Sequence, residues 1–185
     1  MYSQIGQDEW VLKTIGEKEN GVFVDIGCGH PEYVSNTLLF EKEYNWRGIG
    51  VDLSPHNWDF IPPHFCHDEM NPFEYSDWGN RKNTTVYAAD AIQLDYAKIF
   101  EENNFPDVID YMSIDLEPPD LTLECLYNIP FDKYKFRCIT FETDSTRKIG
   151  MGGPLRVKIS RDFFESKGYD LVESNAQDDY YVLRK

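Results

Sequence analysis

Residues 22–33 read VFVDIGCGHPEY, an apolar run closed by an acid and followed by two glycines one residue apart. A strand feeding a glycine turn is the usual opening of a nucleotide or adenosine site in an α/β sheet. A dinucleotide fingerprint would continue with a third glycine, but this chain continues with His30, Pro31 and Glu32. The third glycine and a bare helix N-terminus let backbone N–H groups approach a pyrophosphate. Pro31 removes one such donor and Glu32 adds a negative charge, so both work against a diphosphate.

Outward from that stretch the same form repeats. GIGVD (48–52), TVYAAD (85–90) and VIDYMSID (108–115) are short apolar runs ending in an aspartate, and RCITFET (137–143) ends at Glu142. Helix-like segments lie between them, as in an α/β sheet with covering helices. One such segment precedes the sheet, with Trp10, Val11 and Ile15 at helical spacing, and another follows Ser35, a plausible cap. RDFFESKGYDLVES (161–174) reads as a helix ending near Gly168 and then a strand, and DDYYVLRK (178–185) as a last strand. Two closing strands joined by a short turn predict an antiparallel hairpin at one edge of an otherwise parallel sheet. In such sheets the ligand lies beyond the carboxyl ends of the strands, so Asp25, Asp52, Asp90, Asp115 and Glu142 are expected on one rim. Taken singly, each acid could equally cap a turn.

Asp52, at the end of the second strand, suits the two hydroxyls of an adenosine ribose, which fits NAD and S-adenosylmethionine alike. The first loop separates the two. S-adenosylmethionine has no phosphate and carries a sulfonium and an ammonium group, so Asp25, Glu32 and Asp115 become acceptable neighbours. Asp90 could accept from the adenine amino group.

Composition narrows the classes further. The 185 residues suffice for one domain spanning 1–185, and 41% hydrophobic with 15% aromatic residues is a globular composition. A net charge of −15 argues against a sequence-independent hold on nucleic acid, which depends on Lys and Arg neutralising phosphates. The one dense basic strip, Lys133, Lys135 and Arg137, reads as a solvated face. No run is long enough for a membrane span and the start has no signal-peptide pattern, so a soluble, cytoplasmic protein is expected. Cys28, Cys66, Cys125 and Cys138 lack paired spacing and are expected as free thiols.

YSQIGQDEWVL (2–12), the stretch 21–52, YMSIDLEPPDLTLECL (111–126) and the C-terminal RDFFESKGYDLV…DDYYV together resemble the FkbM-type S-adenosylmethionine-dependent methyltransferases. The more specific parts are Ser35-Asn36-Thr37, Trp46-Arg47-Gly48, and Ser113-Ile114-Asp115 with Glu117. The resemblance implies a Rossmann-like, seven-stranded class I methyltransferase sheet and O-methylation of a sugar or glycan hydroxyl. The cofactor contacts expected are Gln7, Asp25, Gly27, Cys28, Gly29, Asn36, Asp52, Leu53, Asp90, Ala91 and Asp115. Ser3, Gln4, Gln7 and Asp8, within residues 1–20, are expected as an N-terminal lid. Many relatives have a small residue after the glutamate, where this chain has Pro118-Pro119.

A sugar hydroxyl needs a base, a metal, or both to react at neutral pH. Asp115 and Glu142, with Asp144 close behind, are candidates for base and substrate clamp or for Mg²⁺ ligands. The alternative is that Asp115 holds the methionine end of the cofactor and Glu142 binds substrate without metal. His30 is a further candidate base beside the cofactor loop, with a structural role as the competing assignment.

Residues 54–85 form a connection far longer than usual. His56, His64, Cys66 and His67 match no standard zinc spacing. Trp58, Phe60, Phe65, Tyr75 and Trp78 offer faces for a sugar ring, and Asp68, Asp77, Asn80 and Arg81 offer polar edges, so an acceptor-binding flap is expected. The rival is a loop packed on its own aromatics. Glu117-Pro118-Pro119 also invites comparison with the Pro-Pro-aromatic motif of nucleic-acid amino methyltransferases, but Asp120 stands where the aromatic would be. A non-catalytic binder of the cofactor, or a methyltransferase for a non-sugar small molecule, are the remaining alternatives. The acceptor's identity and the oligomeric state are not encoded legibly.

Overall fold

The computed structural model describes residues 1–53, 78–148 and 150–185. Helix α1 (Gln7–Ile15) leads into β1 (Val22–Ile26), whose five residues are all buried. Helix α2 (Leu38–Tyr44) follows, three residues later than the cap expected at Ser35. Ser35 still serves the helix start, because its Oγ accepts from the N–H groups of Leu38 at 3.2 Å and Thr37 at 3.4 Å.

Strands β2 (Arg47–Asp52) and β3 (Thr84–Ala88) extend the sheet on one side, and β4 (Val108–Ile114) and β5 (Lys135–Glu142) extend it on the other. All four junctions among β1 to β5 are parallel. Helices α3 (Tyr96–Glu102) and α4 (Pro119–Leu126) fill the next two connections, as the alternation of strand-like and helix-like segments predicts. Asp95 caps α3 by accepting from Lys98 N–H at 3.0 Å, and α4 opens on Pro119, whose missing N–H costs nothing in a first turn. Helix α5 (Gly153–Ser166) starts eight residues before the expected 161, with Pro154 in its first turn, where a missing N–H costs nothing.

The sheet closes with β6 (Tyr169–Ser174) and β7 (Asp178–Leu183), the expected antiparallel pair. Strand β7 inserts between β5 and β6, giving the order β3-β2-β1-β4-β5-β7-β6. The expected seven-stranded mixed sheet is therefore present, with β6 as the edge.

Both faces are covered, as a parallel centre requires. Along β1 the side chains alternate: Val22, Val24 and Ile26 join the large cluster with Ile49, Met112, Ile139 and Phe164. Phe23 joins a smaller one with Val11, Phe40, Trp46 and Tyr111. Buried Asp110 ties the strand start of β4 to the chain before β1, pairing with Lys18 at 2.7 Å and Arg137 at 3.1 Å and accepting from Val22 N–H. The other members of the basic strip are also engaged: Lys133 pairs with Glu101, and Lys135 donates to Phe131 O. Among the described residues Cys28, Cys125 and Cys138 are free and buried, and no helix is long and apolar enough to cross a membrane.

Candidate functional site

Strand β1 is flanked by β2 and β4, so the chain reverses its winding direction there and leaves a crevice at the carboxyl ends. A cleft of about 830 Å³ occupies that position, lined by the glycine loop, Asp25, Asn36, Asp52, Leu53, the segment 115–117, Glu142, Asp144 and Arg147. Gln4, Val34 and Gln177 complete its wall. This volume accommodates a cofactor of adenosine size.

On the β1 and β2 side, geometry is set by the glycine loop. Gly27 has φ +81°, and a Cβ there would lie 1.7 Å from the backbone oxygen of Asp115. Its N–H and that of Cys28 both donate to Val51 O, while Asp115 N–H donates to Ile26 O, so the loop is stitched to β2 and β4 together. Asp52 Oδ2 accepts from Gly29 N–H at 3.0 Å, and buried Asp25 accepts from Thr37 Oγ1 at 2.7 Å. Burial pushes the Asp25 carboxyl up to about 6 despite the Thr37 bond and nearby Arg81. Asn36 Nδ2 donates to Ser113 Oγ at 2.9 Å.

Buried Arg81 holds this side from behind. It pairs with Glu41 at 2.6 Å and donates to Pro31 O, Ser35 Oγ, Thr37 Oγ1 and Thr84 Oγ1. Its guanidinium also lies 5.3 Å from the ring centre of buried Trp78. Both residues were expected to face an acceptor. Burial and this bonding instead place them in the structural support of the cofactor loop.

His30 lines the cleft, but its Nδ1 accepts from the N–H groups of Glu32 and Tyr33, each at 3.1 Å. That nitrogen is thereby committed to the turn. Glu32 is exposed and borders a neighbouring cavity of about 540 Å³ rather than the main cleft.

On the β4 and β5 side, carboxylates face one another. Asp115 and Glu142 hydrogen-bond side chain to side chain, which requires a shared proton, and burial with the like charges of Asp144 and Glu117 pushes Glu142 far above the usual carboxylate range. Thr122 Oγ1 lies 3.4 Å from Glu142 Oε2. Arg147 Nη1 donates to Asp144 Oδ2 at 2.8 Å and also to Glu117 Oε1. Behind them buried Arg156 donates to the carbonyls of Thr143, Asp144 and Arg147 and pairs with Asp120 at 2.9 Å. Asp120 Oδ2 in turn accepts from Met151 N–H, and a Cβ on Gly150 would lie 1.6 Å from that oxygen. Burial, next to Asp115, pushes Asp178 up to about 7, and Gln7 Nε2 donates to it at 2.8 Å.

The structure therefore gathers Asp25, Gly27, Cys28, Gly29, His30, Asn36, Asp52, Leu53, Asp115, Glu142 and Asp144 around one cleft. Three expected cofactor residues do not line it. Asp90 caps a short turn by accepting from Ile92 N–H, Ala91 is buried in that turn, and Gln7 is engaged with Asp178 and Ile5 N–H. Of the expected N-terminal lid only Gln4 reaches the cleft, and Ser3 and Asp8 are bonded to each other. The expected flap lies mostly outside the described residues, together with His56, His64, Cys66 and His67. The expected site does not include Arg147, Arg156 or Asp178, which the structure brings to it. Only Arg147 carries a local signal, its i,i+3 spacing from Asp144.

The metal set Asp115, Glu142 and Asp144 is altered by these contacts. Ligand atoms of Glu117, Glu142 and Asp144 lie within 4.8 Å of one another, so Glu117 replaces Asp115 in the grouping. Arg147 engages two of the three, and the third is hydrogen-bonded to Asp115. The guanidinium takes one oxygen each of Glu117 and Asp144 and sets a positive charge beside the remaining oxygens, which opposes a divalent ion there.

By sequence, no family model and no curated protein matches the chain. Its fold does match solved structures. A Clostridium thermocellum protein assigned as an rRNA methylase superposes with TM-score 0.59 at 13% identity, covering 100% of this chain and 98% of that one. The methyltransferase PaMTH1 of Podospora anserina, bound to S-adenosylhomocysteine, gives 0.58 at 12%, covering 99% and 80%. Precorrin-6y C5,15-methyltransferase of Geobacter metallireducens gives 0.50 at 11%, covering 96% and 87%.

Proposed function

We propose, from the class I methyltransferase fold shared with these structures, that this chain binds S-adenosylmethionine and transfers its methyl group to a neutral, hydroxyl-bearing small acceptor, a sugar or glycan hydroxyl in the FkbM manner. The observation that carries the reading is the character of the cleft. It meets its ligand with the carboxylates of Asp25, Asp52 and Asp115 around a glycine loop that lacks the third glycine a pyrophosphate would need. Such a rim favours a sulfonium and an ammonium over a diphosphate.

The chain's own residues then divide the work. Asp52 receives the ribose hydroxyls, and the close approach of Gly27 to Asp115 brings the cofactor's methionine end to the head of β4. The acceptor oxygen attacks the methyl carbon, the carbon–sulfur bond breaks with its electron pair passing to sulfur, and the hydroxyl proton passes to the Asp115–Glu142 pair. The donor's positive charge and the pair's negative charge disappear together, which a cleft of low dielectric rewards.

The rRNA methylase likeness is one of fold, and two features weigh against a nucleic-acid acceptor. The chain carries −15, and the acceptor side sets Asp115, Glu117, Glu142 and Asp144 against Arg147, which repels phosphates. The position after Pro118-Pro119 that would stack on a base is Asp120, whose carboxylate is engaged by Arg156 and Met151 N–H.

Calorimetric titration with S-adenosylhomocysteine and with NAD tests the cofactor. Binding of the former, weakened roughly 10- to 100-fold by Asp52→Ala, is expected, and binding of NAD alone refutes the reading. Transfer of labelled methyl to a panel of neutral glycosides tests the acceptor, and transfer only to RNA would overturn that half.

A further inference from the structure

We infer that Arg147 is this cleft's resident cation, standing where a divalent ion would stand in a metal-assisted methyltransferase, so that the acceptor side works without metal. The inference about chemistry rests on the proposed function. The inference about binding does not.

The first support is where the guanidinium sits. Of the carboxylates whose ligand atoms gather within 4.8 Å, Arg147 engages Glu117 and Asp144, the latter at 2.8 Å. Arg147 takes one oxygen of each carboxylate, Glu117 Oε1 and Asp144 Oδ2, and a divalent ion brought alongside a guanidinium meets direct charge repulsion. The second support is that the backbone of Arg147 is built in. Its N–H donates to Asp144 O at 2.9 Å, and its carbonyl accepts from Gly153 N–H at 3.2 Å and from buried Arg156 at 3.3 Å. Because Arg156 also grips the carbonyls of Thr143 and Asp144, the turn that aims Arg147 is set from the protein interior.

The consequence is a division of charge along the rim. Arg147 offsets half of the charge of Glu117 and Asp144, while no cation pairs with Asp115 and Glu142 among the described residues, at the head of β4 where the glycine loop closes. Methyl transfer then needs only the balance already stated: the oxygen–carbon bond forms, the carbon–sulfur bond breaks, and the proton stays on the Asp115–Glu142 pair.

Mn²⁺ is the probe. The electron paramagnetic resonance signal of free Mn²⁺ is followed as the full-length protein is added with S-adenosylhomocysteine present. The wild type is expected to leave millimolar Mn²⁺ free. Arg147→Met should acquire one Mn²⁺ at least about tenfold more tightly, a gain that Asp144→Asn in the same chain removes. Arg147→Lys, which keeps the charge, should behave as wild type. A wild-type Mn²⁺ site abolished by Asp144→Asn overturns the inference, as does an Arg147→Met variant that binds no more Mn²⁺ than wild type. Titration of S-adenosylhomocysteine on the same samples confirms that each variant is folded. Loss of that binding in the wild type fails the cofactor reading instead, so the two failures are distinct.

Discussion

Two buried arginines hold the two sides of the cleft, and they do so by different means. Arg81, behind the cofactor loop, grips mostly side chains: the Glu41 carboxylate and the hydroxyls of Ser35, Thr37 and Thr84. Arg156, behind the acceptor turn, grips mostly main chain, the carbonyls of Thr143, Asp144 and Arg147. A side-chain network passes its order directly to a functional group, as in the chain from Arg81 through Thr37 to Asp25. A carbonyl clamp fixes the shape of a turn and leaves its side chains, here Asp144 and Arg147, to face the ligand. The first arrangement suits a site that always meets the same cofactor. The second lets side chains on a fixed turn vary with the acceptor.

Partner burial also differs, and it ranks the consequences. The side chain of Glu41 is 9% exposed and that of Asp120 30%. Arg81→Met should cost about 4 kcal/mol, because it removes the cation from the Glu41 carboxylate and leaves that group held by Asn83 N–H and the Thr84 hydroxyl. Urea unfolding measures this, and Glu41→Gln added to Arg81→Met should recover part of the loss. Full additivity of the two changes would break the picture of one shared network.

Arg156→Met should cost less, about 3 kcal/mol, since Asp120 can turn to water and the carbonyls relax with their turn. Its functional signature should differ as well. The folded fraction should bind S-adenosylhomocysteine within about threefold of wild type while methyl transfer falls by at least about 100-fold, a loss of positioning rather than of cofactor. Calorimetry against turnover separates the two effects, and an equal loss of both would erase the distinction between the two sides.

The same contrast explains what was legible in the sequence. Strand ends could be read because each apolar run carries an acid at or beside its carboxyl end, so Asp25, Asp52, Asp115 and Glu142 share one rim. The hairpin is legible from two closing strand-like runs joined by a short turn, whereas the insertion of β7 beside β5 depends on pairing that no local pattern encodes. Arginine in a sequence reads as a surface residue, so Arg81 reads as part of an acceptor flap and Arg156 gives no local sign of its burial. Their burial follows from partners distant along the chain: Glu41 lies 40 residues before Arg81, and Asp120 36 before Arg156. Asp90 shows the converse, an acid in the expected place whose observed bonds are those of a cap.

The smallest effect probes the cofactor side most directly. Asp25 is held by Thr37 and feels Arg81, yet desolvation dominates, and its carboxyl is pushed from 3.8 to about 6. The folded chain thus binds a proton at this site more tightly than the unfolded chain does. Between those two values the folded state holds more protons, so stability falls as pH rises through the window and levels off above about 6. From pH 5 to pH 7 this one group removes about 1 kcal/mol. Asp25→Asn keeps an oxygen for Thr37 and never pays for burying a charge. Its stability from pH 5 to 7 should therefore fall about 1 kcal/mol less than that of wild type, with the advantage greatest at pH 7, as read from urea midpoints at each pH. An unchanged slope would mean that Arg81, through Thr37, already keeps Asp25 ionised in the folded protein. The cofactor side would then keep its negative charge below pH 6 as well, where burial otherwise favours the protonated form.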